Sequence, residues 1–248
     1  MKKIFVCLTV CFAPFLLFAQ PQNAVSIIPQ PVSVTTKAGY FQLPNRVSIG
    51  APSGAEVNYA TAYLKNKIST ATGYPVSVGT APNSSIQLIL NATKDGQLGK
   101  EGYTLSVTPK SVVIKANEAA GLFYGVQTLL QLLPKEMESK TVVKSVNWQA
   151  PCVEITDYPR FAWRGLMLDV SRHFFTKAEV KDFIDNMVKY KFNILHWHLT
   201  DDEGWRIEIK SLPNLTKKGA YNVKRVGYFG TFSPPAPDEP RNYGGFYT

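Results

Sequence analysis

Two short apolar runs each end in a cluster of polar groups able to do chemistry. GLMLDV at 165–170 carries Asp169 and is followed by Ser171, Arg172 and His173; ILHWHL at 194–199 is followed by Thr200, Asp201, Asp202, Glu203 and Trp205. A guanidinium is planar, always charged and rich in donors, so Arg172 suits the capture of two adjacent hydroxyls of a sugar; its other reading is an ion pair with Asp169 or Asp201. Asp201, Asp202 and Glu203 are charge clustered as at a site, or simply open a loop. Trp205 offers a flat apolar face, a platform for a sugar or a wedge in the loop. His196 and His198 stand two apart and share one face of a strand, as a metal pair would. A metal site needs further ligands, however, and His173 is the one other histidine in the sequence, so core or supporting histidines are the favoured reading.

The elements that must position these groups are legible around them. Residues 164–170 read as a buried strand. Thr176 and Glu179 have the spacing of a capping box, and Val180, Phe183, Ile184, Met187 and Val188 then recur on one face of a helix. Residues 190–193 close that helix and a second strand follows at 194–199, with Trp197 and Leu199 directed toward helices. A strand, a helix and a strand in about forty residues make a βαβ unit with parallel strands, whose carboxyl ends form the binding crevice. Arg172 leaves strand one at that end, whereas Arg164 enters at the opposite end, where residues serve stability. The stretch 221–248 is rich in Pro, Gly and Tyr, lacks periodicity, and reads as a long loop. Two strands and one helix cannot bury themselves, so the 248 residues are expected to be a fragment cut inside a βα barrel or open sheet.

Upstream, residues 24–150 read as a small α+β domain. Tyr103, Leu105 and Val107 alternate with polar residues and a turn at Pro109-Lys110 leads into 111–116, a hairpin. One helix is expected over 55–70, with Val57, Ala60, Leu64 and Ile68 on one face and Gly73 beyond its end. A second carries Leu122, Phe123, Val126, Leu129, Leu130 and Leu133 and stops at Pro134. Together they would cover one sheet. This part has no histidine and its carboxylates are scattered, so no catalytic group is assigned to it.

With 45% hydrophobic and 18% charged residues, composition excludes disordered and collagen-like classes. Lys2 and Lys3, an uncharged apolar run over 4–18 and small Ala19 read as a signal peptide over 1–19, too short for a bilayer span, so the chain is expected to be exported, periplasmic or extracellular. A lipoprotein modified at Cys11 competes, although Val10 is a poor residue before the modified cysteine. Removal of the signal takes Cys7 and Cys11 with it and leaves Cys152, so no internal disulfide can form. The net charge of +9 is spread without a basic block or an interleaved aromatic run, which excludes a nucleic-acid groove.

Two runs carry a resemblance. YPRFAWRGLMLDVSRHFF at 158–175 and NILHWHLTDDEGWR at 193–206 resemble the first two barrel strands and loops of the family 20 glycoside hydrolases, the β-N-acetylhexosaminidases; the Glu101-Gly102-Tyr103 hairpin and the helix with Gly121, Tyr124 and Gly125 resemble the smaller domain that precedes the barrel there. The resemblance implies an α+β small N-terminal domain followed by the opening βαβ of a truncated (β/α)8 TIM barrel; with the leader at 1–19, the chain is divided into signal 1–19, small domain 24–150 and incomplete barrel 155–248. It implies no cofactor and no metal. It implies removal of terminal, non-reducing β-linked GlcNAc or GalNAc from glycans with retention, the substrate's own 2-acetamido oxygen acting as nucleophile. Matched by position, Arg172 would bind hydroxyls of the terminal sugar, and Asp201 would support the acid through a histidine supplied later in the chain. The acid belongs to an Asp-Glu pair in a His-x-Gly-Gly-Asp-Glu motif expected beyond Thr248; Asp202-Glu203 is not that pair. Two other classes stay open: a non-catalytic sugar-binding module built on Arg172 and Trp205, and a metal-dependent amidohydrolase using His196 and His198. The 248 residues by themselves are expected to be inactive, with 24–150 as the protease-resistant core.

Overall fold

The computed structural model describes residues 25–202, 204–225 and 234–248. The signal-peptide assignment and Glu203 lie outside the described residues. The first part of the chain runs β1 (Ser33–Gln42), β2 (Val47–Gly50), α1 (Ala55–Thr72), β3 (Val76–Gly79), β4 (Ile86–Leu90), β5 (Tyr103–Val107), β6 (Val112–Ala116), α2 (Ala119–Leu132), a 3-10 turn (Lys135–Glu138) and β7 (Gln149–Asp157). The second part has β8 (Gly165–Asp169), α3 (Lys177–Lys189), β9 (Ile194–His198), the short β10 (Thr200–Asp201) and β11 (Gly204–Trp205), α4 (Asn214–Lys217), β12 (Tyr221–Asn222) and β13 (Tyr243–Gly244).

Seven strands form one mixed sheet in the order β1-β7-β5-β6-β4-β2-β3. The alternation in β5 and β6 sends Tyr103, Leu105, Val107, Val112, Ile114 and Ala116 into the core, where α2 covers them. Helix α1 buries the expected face, Val57, Ala60, Leu64 and Ile68, and ends where Gly73 turns into the left-handed region at φ 74° and donates its N–H to Ser69. Helix α2 lies close on the sheet because of Gly125, where a Cβ would run into the Ile114 side chain. The sheet runs on to Asp157, past the boundary at 150 read from the sequence, because β7 pairs with both β1 and β5. Cys152 is buried on this strand and unpaired. No helix among the described residues is long and apolar enough to cross a membrane.

Strands β8 and β9 pair in parallel around α3, and the capping box at its start is complete: Thr176 Oγ1 accepts from the Glu179 N–H while the Glu179 carboxylate accepts from the Thr176 N–H at 2.6 Å. Two expectations are corrected here. Strand β8 is not buried: Met167 is 57% exposed, because β8 and β9 form a sheet of two and the outer face of each lacks a covering layer among the described residues. The long loop read at 221–248 is tied down, β12 pairing with β13 and Ile207 bridging to Tyr247. The ring contact of Trp197, expected toward helices, is likewise to Tyr247, with centroids 4.8 Å apart.

The two parts are fastened at the amino ends of β8 and β9. Arg164 Nη1 pairs with Glu101 at 2.8 Å and its Nε donates to the Lys191 carbonyl; Asn193 Nδ2 also reaches Glu101. Lys191, a non-glycine residue at φ 61°, sends its buried Nζ to Asp157 at 2.7 Å and to the Tyr103 hydroxyl at 2.8 Å. Glu138 holds Lys67 and Lys189 together. Two of the carboxylates that look scattered in the sequence, Glu101 and Glu138, are thus ties between the parts. Burial pushes the Lys191 ammonium below its ordinary value, so removing either partner leaves a desolvated group unpaired. Lys191→Met is expected to destabilise the chain by about 3 kcal/mol, and Asp157→Asn added to it to recover most of that loss, in equilibrium urea unfolding. Equal stability of Lys191→Met and wild type would show that the tie contributes nothing.

Candidate active site

The parallel register places Asp169 beside His198. Three residues further along each strand come Arg172 and Asp201, and the four side chains meet. Arg172 Nη1 donates to Asp169 Oδ2 at 2.9 Å, and Nη2 pairs with Asp201 Oδ2 at 2.6 Å. His198 Nε2 lies 2.9 Å from Asp201 Oδ2 and 3.1 Å from Arg172 Nη1; according to its tautomer it donates to the one or accepts from the other. The two ion pairs that the sequence offered as alternatives for Arg172 both exist, and 30% of its side chain stays exposed at the carboxyl end of the strands. Ion pairing and access to a ligand are therefore compatible.

Asp169 also accepts from the backbone N–H groups of Ser171, at 2.9 Å, and Arg172, at 3.1 Å, closing a tight turn under the guanidinium. Burial alone would raise its pKa, but the N–H and guanidinium of Arg172 and the N–H of Ser171 outweigh it and hold the carboxyl below the ordinary range. Asp201 is held low as well, by the Asp202 N–H and then by His198 and Arg172. The site is thus a cation between two ionised carboxylates, suited to bind and orient a polyhydroxylated ligand.

Other expected residues lie differently. Trp205 commits its indole N–H to the Ile207 carbonyl at 2.6 Å and is half-buried, so only its face is available to a ligand. His196 stacks loosely on His198, and exposed His173 meets Tyr243 instead of either. Among the described residues no group of three His, Cys, Asp or Glu side chains is placed to hold a metal ion. Arg164 stays at the opposite end in its structural tie.

One residue of the site escaped the sequence reading. Arg206, quoted in the run 193–206 but given no role, is 1% exposed and anchors the loop that bears Arg172 through the carbonyls of Val170 and Ser171. Nothing in its local sequence marks it, since its partners lie 35 and 36 residues away.

Compared with known families, the chain matches glycosyl hydrolase family 20 twice: its domain 2 over residues 24–158 and its catalytic domain over residues 161–248. The chain belongs to glycosyl hydrolase family 20. A β-hexosaminidase of Porphyromonas gingivalis is 36% identical over 228 residues, which cover 91% of this chain and 27% of the relative. The N-acetyl-β-hexosaminidase of Streptomyces plicatus superposes with a TM-score of 0.76 at 39% identity, covering 89% of this chain and 40% of that one. An exo-β-N-acetylglucosaminidase of Vibrio harveyi, solved with N-acetylglucosamine, gives 0.71 at 32% identity, covering 89% and 32%. The chain therefore spans between about a quarter and two fifths of the length of these relatives. Its fold is that family's domain 2 followed by the opening βαβ of the catalytic barrel.

The lowered carboxyls set a pH dependence. Because the folded pKa of Asp169 lies below its unfolded value of about 3.9, the stability it lends is complete above that value and is lost as pH falls through the lower folded one. In a carboxyl-detected NMR titration Asp169 and Asp201 are both expected to titrate below about 3.9; a midpoint at or above that for either would contradict the paired geometry.

Proposed function

We propose that this chain is part of an exported retaining β-N-acetylhexosaminidase that removes terminal, non-reducing β-linked GlcNAc or GalNAc from glycans without metal or cofactor. The observation that carries the reading is the Arg172 guanidinium, fixed by Asp169 and Asp201 at the carboxyl ends of β8 and β9 in a chain of this family. Relatives named β-hexosaminidase, and a Streptomyces plicatus variant solved with GlcNAc described as its product, support the substrate class.

Arg172 binds adjacent hydroxyls of the terminal sugar, while Asp169 and Asp201 keep its planar donors turned to the ligand. In substrate-assisted retention the 2-acetamido oxygen attacks the anomeric carbon and the glycosidic bond to the leaving oxygen breaks; that oxygen takes a proton from a carboxylic acid, which these 248 residues do not supply in the expected motif. Water then attacks the anomeric carbon from the face the leaving oxygen vacated, breaking the bond to the acetamido oxygen and giving its proton to the carboxylate, which restores the acid. Asp201, tied to His198 and Arg172, supports that acid through a later histidine. Trp205 offers its indole face to the sugar ring. Export follows from the leader read at 1–19.

Two measurements on the full-length protein test this reading. Hydrolysis of an aryl 2-acetamido-2-deoxy-β-glucoside is expected, with the 2-hydroxy analogue turned over at least about a hundredfold more slowly for want of the internal nucleophile; equal rates would rule out acetamido assistance, and binding without turnover would favour the sugar-binding module. Arg172→Ala is expected to lower kcat/KM by about ten- to a hundredfold, the loss of a charge-assisted bond to a buried sugar, without changing the fold. Wild-type kinetics from that variant would remove Arg172 from the binding site.

A further inference from the structure

The most completely buried large side chain of the second part is a cation, and no carboxylate among the described residues pairs with it. Arg206 instead spends its donors on backbone carbonyls from three separate segments. Nε reaches Val170 O at 2.9 Å and Nη2 reaches Ser171 O at 2.8 Å; Nη1 reaches Ala220 O and, at 3.3 Å, Gly245 O. Its guanidinium carbon sits 5.6 Å from the centroid of the Phe174 ring. A charge so deep is costly unless its donors find partners, and the rigid fork sets four of its five N–H groups on carbonyls in divergent directions where an ammonium, with three donors, could not.

The surroundings are shaped to admit it. A Cβ on Gly204 would fall within the guanidinium, and one on Gly244 would come 2.9 Å from Nη1. The main chain of Arg206 is held too, its N–H by Leu199 O at 3.1 Å and its carbonyl by the Tyr247 N–H at 2.8 Å.

What this cradle holds is the root of the proposed sugar-binding residue. The N–H groups of Ser171 and Arg172 are taken by Asp169, the carbonyls of Val170 and Ser171 by Arg206, and Ser171 Oγ by Gly204 O at 2.9 Å. The turn bearing Arg172 is thus clamped on both sides. Arg206 also follows β11 directly, and β11 pairs with the strand of Asp201, the carboxylate at the other end of the Arg172 guanidinium. We propose that Arg206 is a positioning residue for substrate recognition: it acts through Arg172, aligning that guanidinium with the sugar by clamping the 170–172 backbone and the 220 and 245 segments around one buried charge.

The proposal rests on the reading of Arg172 as a sugar ligand, and its test separates the two. In the full-length protein, Arg206→Lys keeps the charge and loses the fork. It is expected to lower kcat/KM on the aryl 2-acetamido glycoside about tenfold in the wild-type background but less than about twofold in an Arg172→Ala background, because the two residues act as one unit. Amide hydrogen exchange reads the clamp without any turnover: the Ser171 and Arg172 amides are expected to exchange at least about tenfold faster in Arg206→Lys, with the β5 amides unchanged. Equal losses in both backgrounds, or unchanged exchange at Ser171 and Arg172, would overturn the positioning role. Absence of hydrolysis by the wild type would instead defeat the functional reading, and exchange alone would then decide the clamp. Should Arg206→Lys not fold, Gly204→Ala, which crowds the same guanidinium, carries both comparisons.

Discussion

The parallel pairing of β8 with β9 is the constraint on which the site depends. Its register sets Asp169 opposite His198, and because both strands leave the sheet at the same end, residues three positions beyond each are brought together. Arg172 and Asp201 owe their 2.6 Å contact to this. An antiparallel pairing, or a register shifted by one, would send one of them to the other end or the other face. The βαβ connection through α3 makes the parallel arrangement obligatory, and the complete capping box at Thr176 fixes where that helix begins.

The two ends of this unit have different duties. At the amino ends, Arg164, Lys191 and Asn193 reach across to Glu101, Asp157 and Tyr103, so the seven-stranded sheet acts as a base on which the strands stand. At the carboxyl ends the charges face each other and the solvent. Two arginines eight residues apart in one run thereby take opposite parts, one in the tie to Glu101 and one between the two carboxylates at the carboxyl ends. Arg206 is a third kind, a cation used for backbone carbonyls, and it joins the strand loop to the segments at 220 and 243–247.

Local patterns exposed much of this in advance. The faces of α1 and α2, the hairpin of β5 and β6, the capping box and the parallel unit all rest on spacings of two, three or four residues, and such spacings are set by backbone geometry regardless of the rest of the chain. The apolar run of β8 shows what a strand can bury, whereas exposure depends on how many neighbours surround it, and Met167 has an uncovered side. The sheet continues through the change of texture at 147–150 because β7 pairs with β1 and β5.

By itself the sequence determined the helices α1, α2 and α3, the hairpin of β5 and β6, the parallel sense of β8 and β9, the end at which their polar residues gather, and the family through two long runs of matched residues. Tertiary structure alone decided which of those residues touch. The choice between Asp169 and Asp201 as partner of Arg172 had no local answer, and the fold resolved it by supplying both. The partners of Lys191 and Arg206 lie tens of residues away in the chain, at distances fixed only when sheet and strands have packed. A buried cation leaves no periodic signature, because what makes its position tolerable is the convergence of carbonyls from separate segments, and that convergence exists only in the folded chain.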